Sequence, residues 1–139
     1  MKRGLVLTTG VFDIIHPGHI RLLKFARQLG NALVVGINSD DSVKRVRGKL
    51  PVMSAEDRKT VLMAIRYVDD VRIFHEDDPS ELIRQIHPAI FVKGPDYAGK
   101  DTPELEVLKR FNVEYIVPNW PKTKSSTDIK RRLAEVATD

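Results

Sequence analysis

Short apolar runs alternate with amphipathic stretches along the whole chain. Runs rich in valine, isoleucine and leucine predict buried strands at residues 5–9, 33–37, 71–74, 89–93 and 113–117. Apolar residues at helical spacing predict helices at residues 20–29, 55–67, 79–86, 105–111 and 128–137. This alternation predicts an α/β fold, a single Rossmann-like, doubly wound parallel sheet of about five strands with helices on both faces.

The predicted topology brings two distant loops together. If the strand order reverses beside the first strand, the loops after Thr9 and Lys93 meet across the crevice in which open α/β sheets bind ligands. Capping residues support the boundaries of the helices between the strands. Gly30 is placed to end the first helix, and Ser54 is placed to cap the second, with Asp57 three residues further on.

The first of these loops, residues 10–19, contains two glycines and two histidines. Gly10 allows backbone N–H groups to approach a phosphate closely, Gly18 allows the same at the start of the next helix, and that helix N-terminus adds partial positive charge. His16 and His19 are spaced to donate hydrogen bonds to the oxygens of a reacting phosphate. The loop therefore predicts phosphoryl chemistry that works by positioning and charge stabilisation, without a covalent protein nucleophile.

Length and composition fit one domain over residues 1–139. Hydrophobic residues make up 42% of the chain, and the absence of cysteine excludes a disulfide framework. No stretch approaches membrane-spanning length, and the first apolar run is too short for a signal peptide, so we expect a soluble, cytoplasmic protein. The net charge of +4 suits an anionic small molecule. Aromatic and basic residues do not interleave along a predicted strand, so we expect neither nucleic acid nor a membrane as partner.

Other polar segments have simpler interpretations. Residues 44–49 are basic and would by default form a solvated face or a loop, although their position after the second strand favours phosphate binding. Residues 76–78 are acidic and are predicted to form a solvated turn before a helix. Trp120 is expected to be a packing residue, while its nearness to the phosphate-binding segment leaves base stacking open. We expect no chemistry from His75 or His87.

Residues 10–19 resemble the H-x-G-H signature of the nucleotidylyltransferase superfamily, in the longer G-x-F-D-x-x-H-x-G-H form of its cytidylyltransferase-like branch. The resemblance continues through residues 38–40, residues 44–48, Arg58 and residues 92–97, and so covers nearly the whole chain. Within the branch, the chain is most similar to the adenylyltransferase half of bifunctional heptose synthases, and next to glycerol-3-phosphate cytidylyltransferases. The resemblance implies transfer of a nucleoside monophosphate from a nucleoside triphosphate to a phosphorylated sugar or polyol, with release of pyrophosphate.

The resemblance also implies roles for individual residues. Four residues match catalytic positions of the family, namely His16, His19, Lys44 and Arg58. At these positions, the resemblance implies that the histidines stabilise the triphosphate, that the lysine contacts the acceptor phosphate, and that the arginine lies near the triphosphate or the acceptor. The positions that bind the nucleotide are matched by Gly10, Val11, Phe12, Gly18, Lys93, Gly94, Asp96, Tyr97, Ser125, Ser126 and Thr127. No residue is implied to hold a metal. We expect Mg²⁺ to arrive with the triphosphate, and Asp13 to fix the loop.

Departures from the family pattern leave the base and the acceptor open. Residues 120–127 lack the arginine and glycine of cytidylyltransferases, which favours the heptose branch and ATP. Pro95 replaces a glycine usual in that branch, and residues 99–103 differ from it. CTP-dependent transfer to glycerol phosphate, another polyol phosphate or a phosphonate is the alternative, and a non-catalytic nucleotide-binding module is a third. The presence of both histidines together with Lys44 and Arg58 favours catalysis. The sequence leaves open a homodimer or one domain of a larger protein.

The role of His19 can be tested by substitution. We expect His19→Ala to lower the rate of pyrophosphate release by about 10²–10³-fold, or about 3–4 kcal/mol, because a transition-state donor is lost while the fold survives. His75→Ala is the control and should leave the rate unchanged. Near wild-type turnover in His19→Ala would contradict the role, and a clear loss in His75→Ala would place the site elsewhere.

Overall fold

The computed structural model describes residues 4–120 and 126–138. The strands are β1 (Leu5–Gly10), β2 (Ala32–Asn38), β3 (Asp70–Phe74), β4 (Ile90–Val92) and β5 (Glu114–Ile116). The helices are α1 (Pro17–Gln28), α2 (Asp40–Arg47), α3 (Ala55–Met63), α4 (Ser80–Ile86), α5 (Leu105–Arg110) and α6 (Ser126–Thr138), and a 3₁₀ turn covers Pro95–Tyr97.

The strands form one all-parallel sheet in the order β3-β2-β1-β4-β5. β1 pairs with β2 from Leu5 opposite Ala32 to Gly10 opposite Ile37, and it pairs with β4 on its other side. The strand order therefore reverses beside β1, and the predicted α/β class and topology are confirmed. The carboxyl ends of β1 and β4 are neighbours, so the loops that follow them lie at the same crevice.

A hydrophobic layer covers each face of the sheet. The neighbouring β1 residues Val6 and Leu7 point to opposite faces, and both are fully buried. The layer around Val6 includes Leu23 from α1 and Leu62 from α3, and the layer around Leu7 includes residues from α4 and α5. Burial on both faces explains why the strands are continuously apolar instead of alternating.

Helix α2 was not predicted, since residues 44–49 were expected to form a solvated face or a loop. The Ser39 hydroxyl oxygen caps its start by accepting a hydrogen bond from the backbone N–H of Ser42 at 3.2 Å. Gly48 ends it in the left-handed region, with φ of 81°. Acidic residues in the first turn and basic residues in the last turn stabilise it through the helix dipole.

Three predicted helix boundaries were also wrong. α1 begins at Pro17, three residues before the predicted start, because His16 caps it. α3 ends at Met63 instead of residue 67, because the N–H groups of Ala64 and Ile65 bond to carbonyls only three residues back. α6 begins at Ser126, two residues before the predicted start.

Asp13 joins three parts of the chain. Its carboxylate, in a residue that is 2% exposed, accepts hydrogen bonds from the backbone N–H groups of Val52 and Met53, both at 2.8 Å. It also accepts one from Lys130 Nζ on α6 at 2.6 Å. Burial alone would raise the pKa of Asp13, but the hydrogen bonds from Lys130, Val52 and Met53 outweigh it and hold the pKa below its usual value. The expectation that Asp13 fixes the loop is confirmed.

Asp13→Asn replaces the carboxylate that joins these three parts of the chain with a neutral amide. A carboxylate whose pKa is lowered on folding stabilises the protein above its unfolded-state pKa of 3.8, and that contribution is lost as pH falls through the lower, folded-state pKa. We therefore expect the variant to have a smaller free energy of unfolding near neutral pH, and the deficit to shrink below about pH 4. Urea denaturation from about pH 7 to about pH 2 measures this, with Asp101→Asn, at an exposed position outside the helices, as control. A deficit independent of pH would contradict the expectation.

Candidate active site

The turn between β1 and α1 holds two imidazole rings against each other. His16 is the N-cap of α1, and its Nδ1 accepts a hydrogen bond from the backbone N–H of Gly18 at 3.1 Å. His19 returns the contact, since its Nδ1 accepts from the backbone N–H of His16 at 3.3 Å. The ring centroids are 3.9 Å apart. The two residues form a capping box in which imidazoles replace the usual hydroxyl and carboxylate.

These hydrogen bonds decide where the imidazole protons lie. A neutral imidazole has one N–H donor and one acceptor nitrogen, and both Nδ1 atoms act as acceptors. The proton of each neutral ring is therefore on Nε2. Two Nε2–H donors thus lie in the first turn of α1, where the partial positive charge of the helix N-terminus also favours an anion.

Phe12 shapes the backbone that precedes the histidines. It adopts φ of 51°, a left-handed conformation that is unusual for a residue with a side chain. Its buried ring lies 5.1 Å from the His19 ring, measured between centroids. A Cβ on Gly10 would lie 3.0 Å from the Phe12 ring, so a larger residue here would push against that ring.

Arg58 supports this loop from inside the protein. The residue is fully buried, and its Nε donates to the Met53 carbonyl at 3.0 Å while its Nη1 donates to the Val11 carbonyl at 2.8 Å. Its Nη2 pairs with Asp40 Oδ1 at 2.9 Å. A buried charge is tolerated only when it is paired and hydrogen-bonded, and here all three guanidinium nitrogens are engaged. Arg58 therefore ties the loop after β1 to the start of α2 and to the segment before α3.

A cavity of about 360 Å³ opens at the carboxyl ends of β1 to β4. The residues that line it come from the loop after β1, the ends of β2 to β4, α2, and the loops after β3 and β4, namely Gly10, Val11, Asn38, Val43, Val46, Arg47, Phe74, Asp77, Asp78, Pro79, Lys93, Tyr97, Thr102, Pro103 and Glu104. The loops after β1 and β4 thus meet at one cavity, as the topology predicted. Its volume lies within the range of about 300–1,000 Å³ that is typical of ligand sites.

Lys93 supplies a buried positive charge to this cavity. The residue is 7% exposed, and its Nζ lies 4.6 Å from the centroid of the Tyr97 ring, in a cation–π contact. Burial lowers the pKa of Lys93, and attraction to Glu104 and Asp96 opposes this effect. Burial and the charge of Asp96 raise the pKa of Tyr97, against the opposing effect of Arg47. The end of β4 therefore combines charges of both signs at one wall.

The remaining predicted residues occupy several positions. Lys44 is exposed on α2 and is not among the residues that line the cavity, whereas Arg47 on the same helix is. Gly94 accepts at its carbonyl from the backbone N–H of Tyr97 at 3.0 Å, in the turn that contains Asp96. α6 begins with Ser126 and Thr127, and Ser125 lies outside the described residues.

Most cavity residues were not predicted from the sequence, and Arg47 and Glu104 are two of them. Arg47 belongs to the basic residues 44–49, but nothing in that stretch of sequence distinguishes it from its basic neighbours. Glu104 is 2% exposed and lines the cavity, whereas the Glu106 side chain, two residues later, is 84% exposed. No local pattern separates these two glutamates, because the packing of distant segments decides which one is buried.

The residues expected to have no chemistry have structural partners. Trp120 packs on α1, with the Arg21 guanidinium 4.2 Å from its ring centroid and the Phe25 ring edge-on at 5.2 Å. His87 ends α4 in the left-handed region, and its ring meets that of Phe111 edge-on. These contacts confirm the expected packing role of Trp120.

Within residues 4–120 and 126–138, no group of three histidine, aspartate or glutamate side chains is placed to hold a metal ion. Within the same ranges, no helix has the length and apolar character needed to cross a membrane.

Comparison with known proteins gives close matches. The model of a family described as cytidylyltransferase-like matches residues 7–132. The bifunctional protein HldE of Campylobacter concisus is 43% identical over 139 residues, which span 99% of this chain and 29% of that protein. HldE of Streptomyces coelicolor is 43% identical over 134 residues, which span 96% of this chain and 29% of that protein. The chain thus spans less than a third of the length of these curated relatives.

Solved structures show the same arrangement of elements. The lipopolysaccharide core biosynthesis protein from Thermoplasma volcanium matches with a TM-score of 0.72 and 31% identity, over 85% of this chain and 98% of that chain. A pantoate-β-alanine ligase from Francisella tularensis matches with a TM-score of 0.57 and 15% identity, over 99% of this chain and 72% of that chain. The second likeness concerns the fold alone.

The histidine capping box can be separated into its structural and chemical parts by two substitutions. Asparagine is a good N-cap, so we expect His16→Asn to keep its stability, whereas His16→Ala loses about 1 kcal/mol. Both variants lack the Nε2–H donor. Because a hydrogen bond to a charged group is worth about 1.5–3 kcal/mol, both should bind tripolyphosphate about 10–100-fold more weakly. Urea denaturation and calorimetric titration measure the two effects. Wild-type affinity in His16→Asn would contradict the donor role.

Proposed function

Because the chain belongs to the cytidylyltransferase-like family of nucleotidyltransferases, we propose that it transfers AMP from ATP to a sugar 1-phosphate, as a heptose-1-phosphate adenylyltransferase does. The observation that carries this proposal is the His16–His19 capping box in the loop after β1, because the same loop contributes Gly10 and Val11 to the cavity that reaches Lys93, although the histidines themselves do not line that cavity. The 43% identity to HldE proteins supports the choice of ATP over CTP.

The proposed reaction is a single displacement at the α-phosphorus of ATP. An oxygen of the acceptor phosphate forms the new P–O bond, and the bond to the β-phosphate breaks and releases pyrophosphate. The Nε2–H groups of His16 and His19 stabilise the negative charge that grows on the phosphate oxygens, and the N-terminus of α1 adds to this effect. When bound with the triphosphate, Mg²⁺ neutralises part of its charge. No residue of the chain is required to form a covalent intermediate.

Arg58 acts in this proposal as a positioning residue. Its guanidinium donates to the Val11 carbonyl and is fully buried, which supports a role in holding the phosphate-binding loop. Positive charge for the acceptor phosphate comes from α2, where Arg47 lines the cavity and Lys44 is exposed one turn earlier. An arginine at the cavity wall can bind a phosphate through two parallel hydrogen bonds.

The nucleotide is assigned to the loops after β1 and β4 and to the start of α6. We assign the base and ribose to Gly94, Asp96 and Tyr97. The contact between Asp13 and Lys130 supports a further phosphate contact from α6. Ser126 lies one turn before Lys130, so this contact holds the N-terminus of α6 next to the loop that contains Asp13.

The choice of nucleotide and acceptor can be measured directly. We expect calorimetric titration with Mg²⁺ to show at least about tenfold tighter binding of ATP than of CTP, since tenfold corresponds to 1.4 kcal/mol. We also expect ATP and one of a panel of heptose and hexose 1-phosphates to release pyrophosphate, and His16→Asn to abolish most of this release. Glu106→Gln is the control, because the Glu106 side chain is exposed.

Other results would support other functions. Preferential use of CTP with glycerol 3-phosphate would indicate a cytidylyltransferase. Binding of nucleotide without pyrophosphate release from any acceptor would indicate a non-catalytic binding module. If neither nucleotide binds, the catalytic proposal is wrong.

A further inference from the structure

Three polar side chains on one side of the molecule have unused hydrogen-bonding groups. Glu104 lines the cavity at 2% exposure, and among the described residues nothing donates a hydrogen bond to its carboxylate and no cation forms an ion pair with it. The hydroxyl of Thr102, which also lines the cavity, is buried without a partner. The buried hydroxyl of Tyr115 likewise has none. Tyr115 is not among the residues that line the cavity, so we call Thr102 and Glu104 the hydroxyl subsite.

The fold accounts for only part of this cluster: Glu104 is the N-cap residue of α5, where the helix dipole favours a carboxylate, but its side chain makes no capping hydrogen bond. A buried polar group without a partner costs free energy, and a buried carboxylate costs more, so native proteins retain few of them. Lys93 balances the charge of Glu104 by electrostatic attraction, but its Nζ lies against the Tyr97 ring instead of forming an ion pair with the carboxylate. The absence of hydrogen-bond partners for these groups is explained if a ligand in the cavity supplies them.

The chemistry of the two cavity-lining groups defines the ligand. An ionised carboxylate only accepts hydrogen bonds, so Glu104 favours a ligand that presents O–H donors and disfavours a phosphate at the same place. The hydroxyl of Thr102 can both donate and accept, as a neighbouring oxygen of a sugar requires. The phosphate of the same ligand is left to the Arg47 guanidinium and to the loop that starts at Gly10, which line the same cavity.

We propose that the hydroxyl subsite binds the hydroxyl groups of the acceptor, so that Glu104 selects a polyhydroxylated sugar phosphate. This inference rests on the proposed function and assigns a specificity determinant to it. Sites built to hydrogen-bond a substrate hydroxyl strongly reject analogues that lack it, because the site's own polar group is then left unpaired. The enzyme should therefore discriminate against acceptors in which one of the bound hydroxyls is replaced by hydrogen.

Steady-state kinetics on three variants test the inference. The acceptor is the sugar 1-phosphate of the panel that gives wild-type protein the fastest pyrophosphate release. We expect Glu104→Gln to raise the KM for this acceptor by about 10–100-fold, because hydrogen bonds to a charged group are lost. The KM for ATP should stay within about twofold of the wild-type value. Thr102→Val should raise the acceptor KM by about 3–10-fold. Glu106→Gln, two residues further along the chain and exposed, should behave as wild type.

Inorganic phosphate separates recognition of hydroxyls from general damage to the cavity. As a competitive inhibitor against the acceptor, it has no carbon-bound hydroxyls. Its inhibition constant should therefore stay the same or fall in Glu104→Gln, because a nearby negative charge has been removed. A parallel rise of the inhibition constant and the acceptor KM would show a damaged cavity and overturn the inference.

The remaining outcomes are also decisive. An unchanged acceptor KM in Glu104→Gln overturns the subsite, and so does a raised KM for ATP alone, which would assign Glu104 to the ribose while adenylyl transfer still stands. If Glu104→Gln unfolds at a much lower urea concentration and Thr102→Val has wild-type kinetics, the role of Glu104 is structural and the inference is wrong. If none of the sugar 1-phosphates in the panel makes wild-type protein release pyrophosphate, the proposed function itself fails before any variant is compared.

Discussion

The reciprocal hydrogen bonds between His16 and His19 are the interaction on which the site depends. They satisfy backbone N–H groups that the first turn of α1 cannot pair within the helix. Because both bonds end on Nδ1, they also fix the tautomer of each ring and leave an N–H donor on each Nε2. The same two bonds stabilise a helix end and, in the proposed mechanism, orient the donors for a phosphate, so the local fold and the proposed chemistry share one cause.

Two buried charged residues, Asp13 and Arg58, join the loop after β1 to distant segments of the chain. Asp13 draws Val52 and Lys130 to the loop after β1, and Arg58 draws the Val11 carbonyl and Asp40 together. Each charge is costly to bury alone and is satisfied by several hydrogen bonds, so each fixes the relative position of the segments it joins. Electrostatic stabilisation of a transition state needs donors that are already oriented, and this framework orients them.

The sequence was most informative where one physical signal dominates. The apolar strands, the reversal beside β1 and the resemblance carried by residues 10–19 were predictable, and the match to the cytidylyltransferase-like family confirms that resemblance. Helix α2 was missed although Ser39 and Gly48 are ordinary capping residues, because its polar sequence has no broad apolar face. The burial of Glu104 could not be predicted, since it depends on how the loop after β4 packs over the cavity. The roles of the predicted site residues themselves stay predictions.

The tautomers of His16 and His19 test the central claim most directly. Imidazole ¹⁵N NMR on the whole protein at alkaline pH, where histidine rings are neutral, reports which nitrogen carries the proton. The chain has four histidines, so His75→Gln and His87→Gln variants assign the other two sets of signals. The account predicts protonated Nε2 and unprotonated Nδ1 for both His16 and His19. A protonated Nδ1 in either ring would mean that the capping box does not form and would contradict the account.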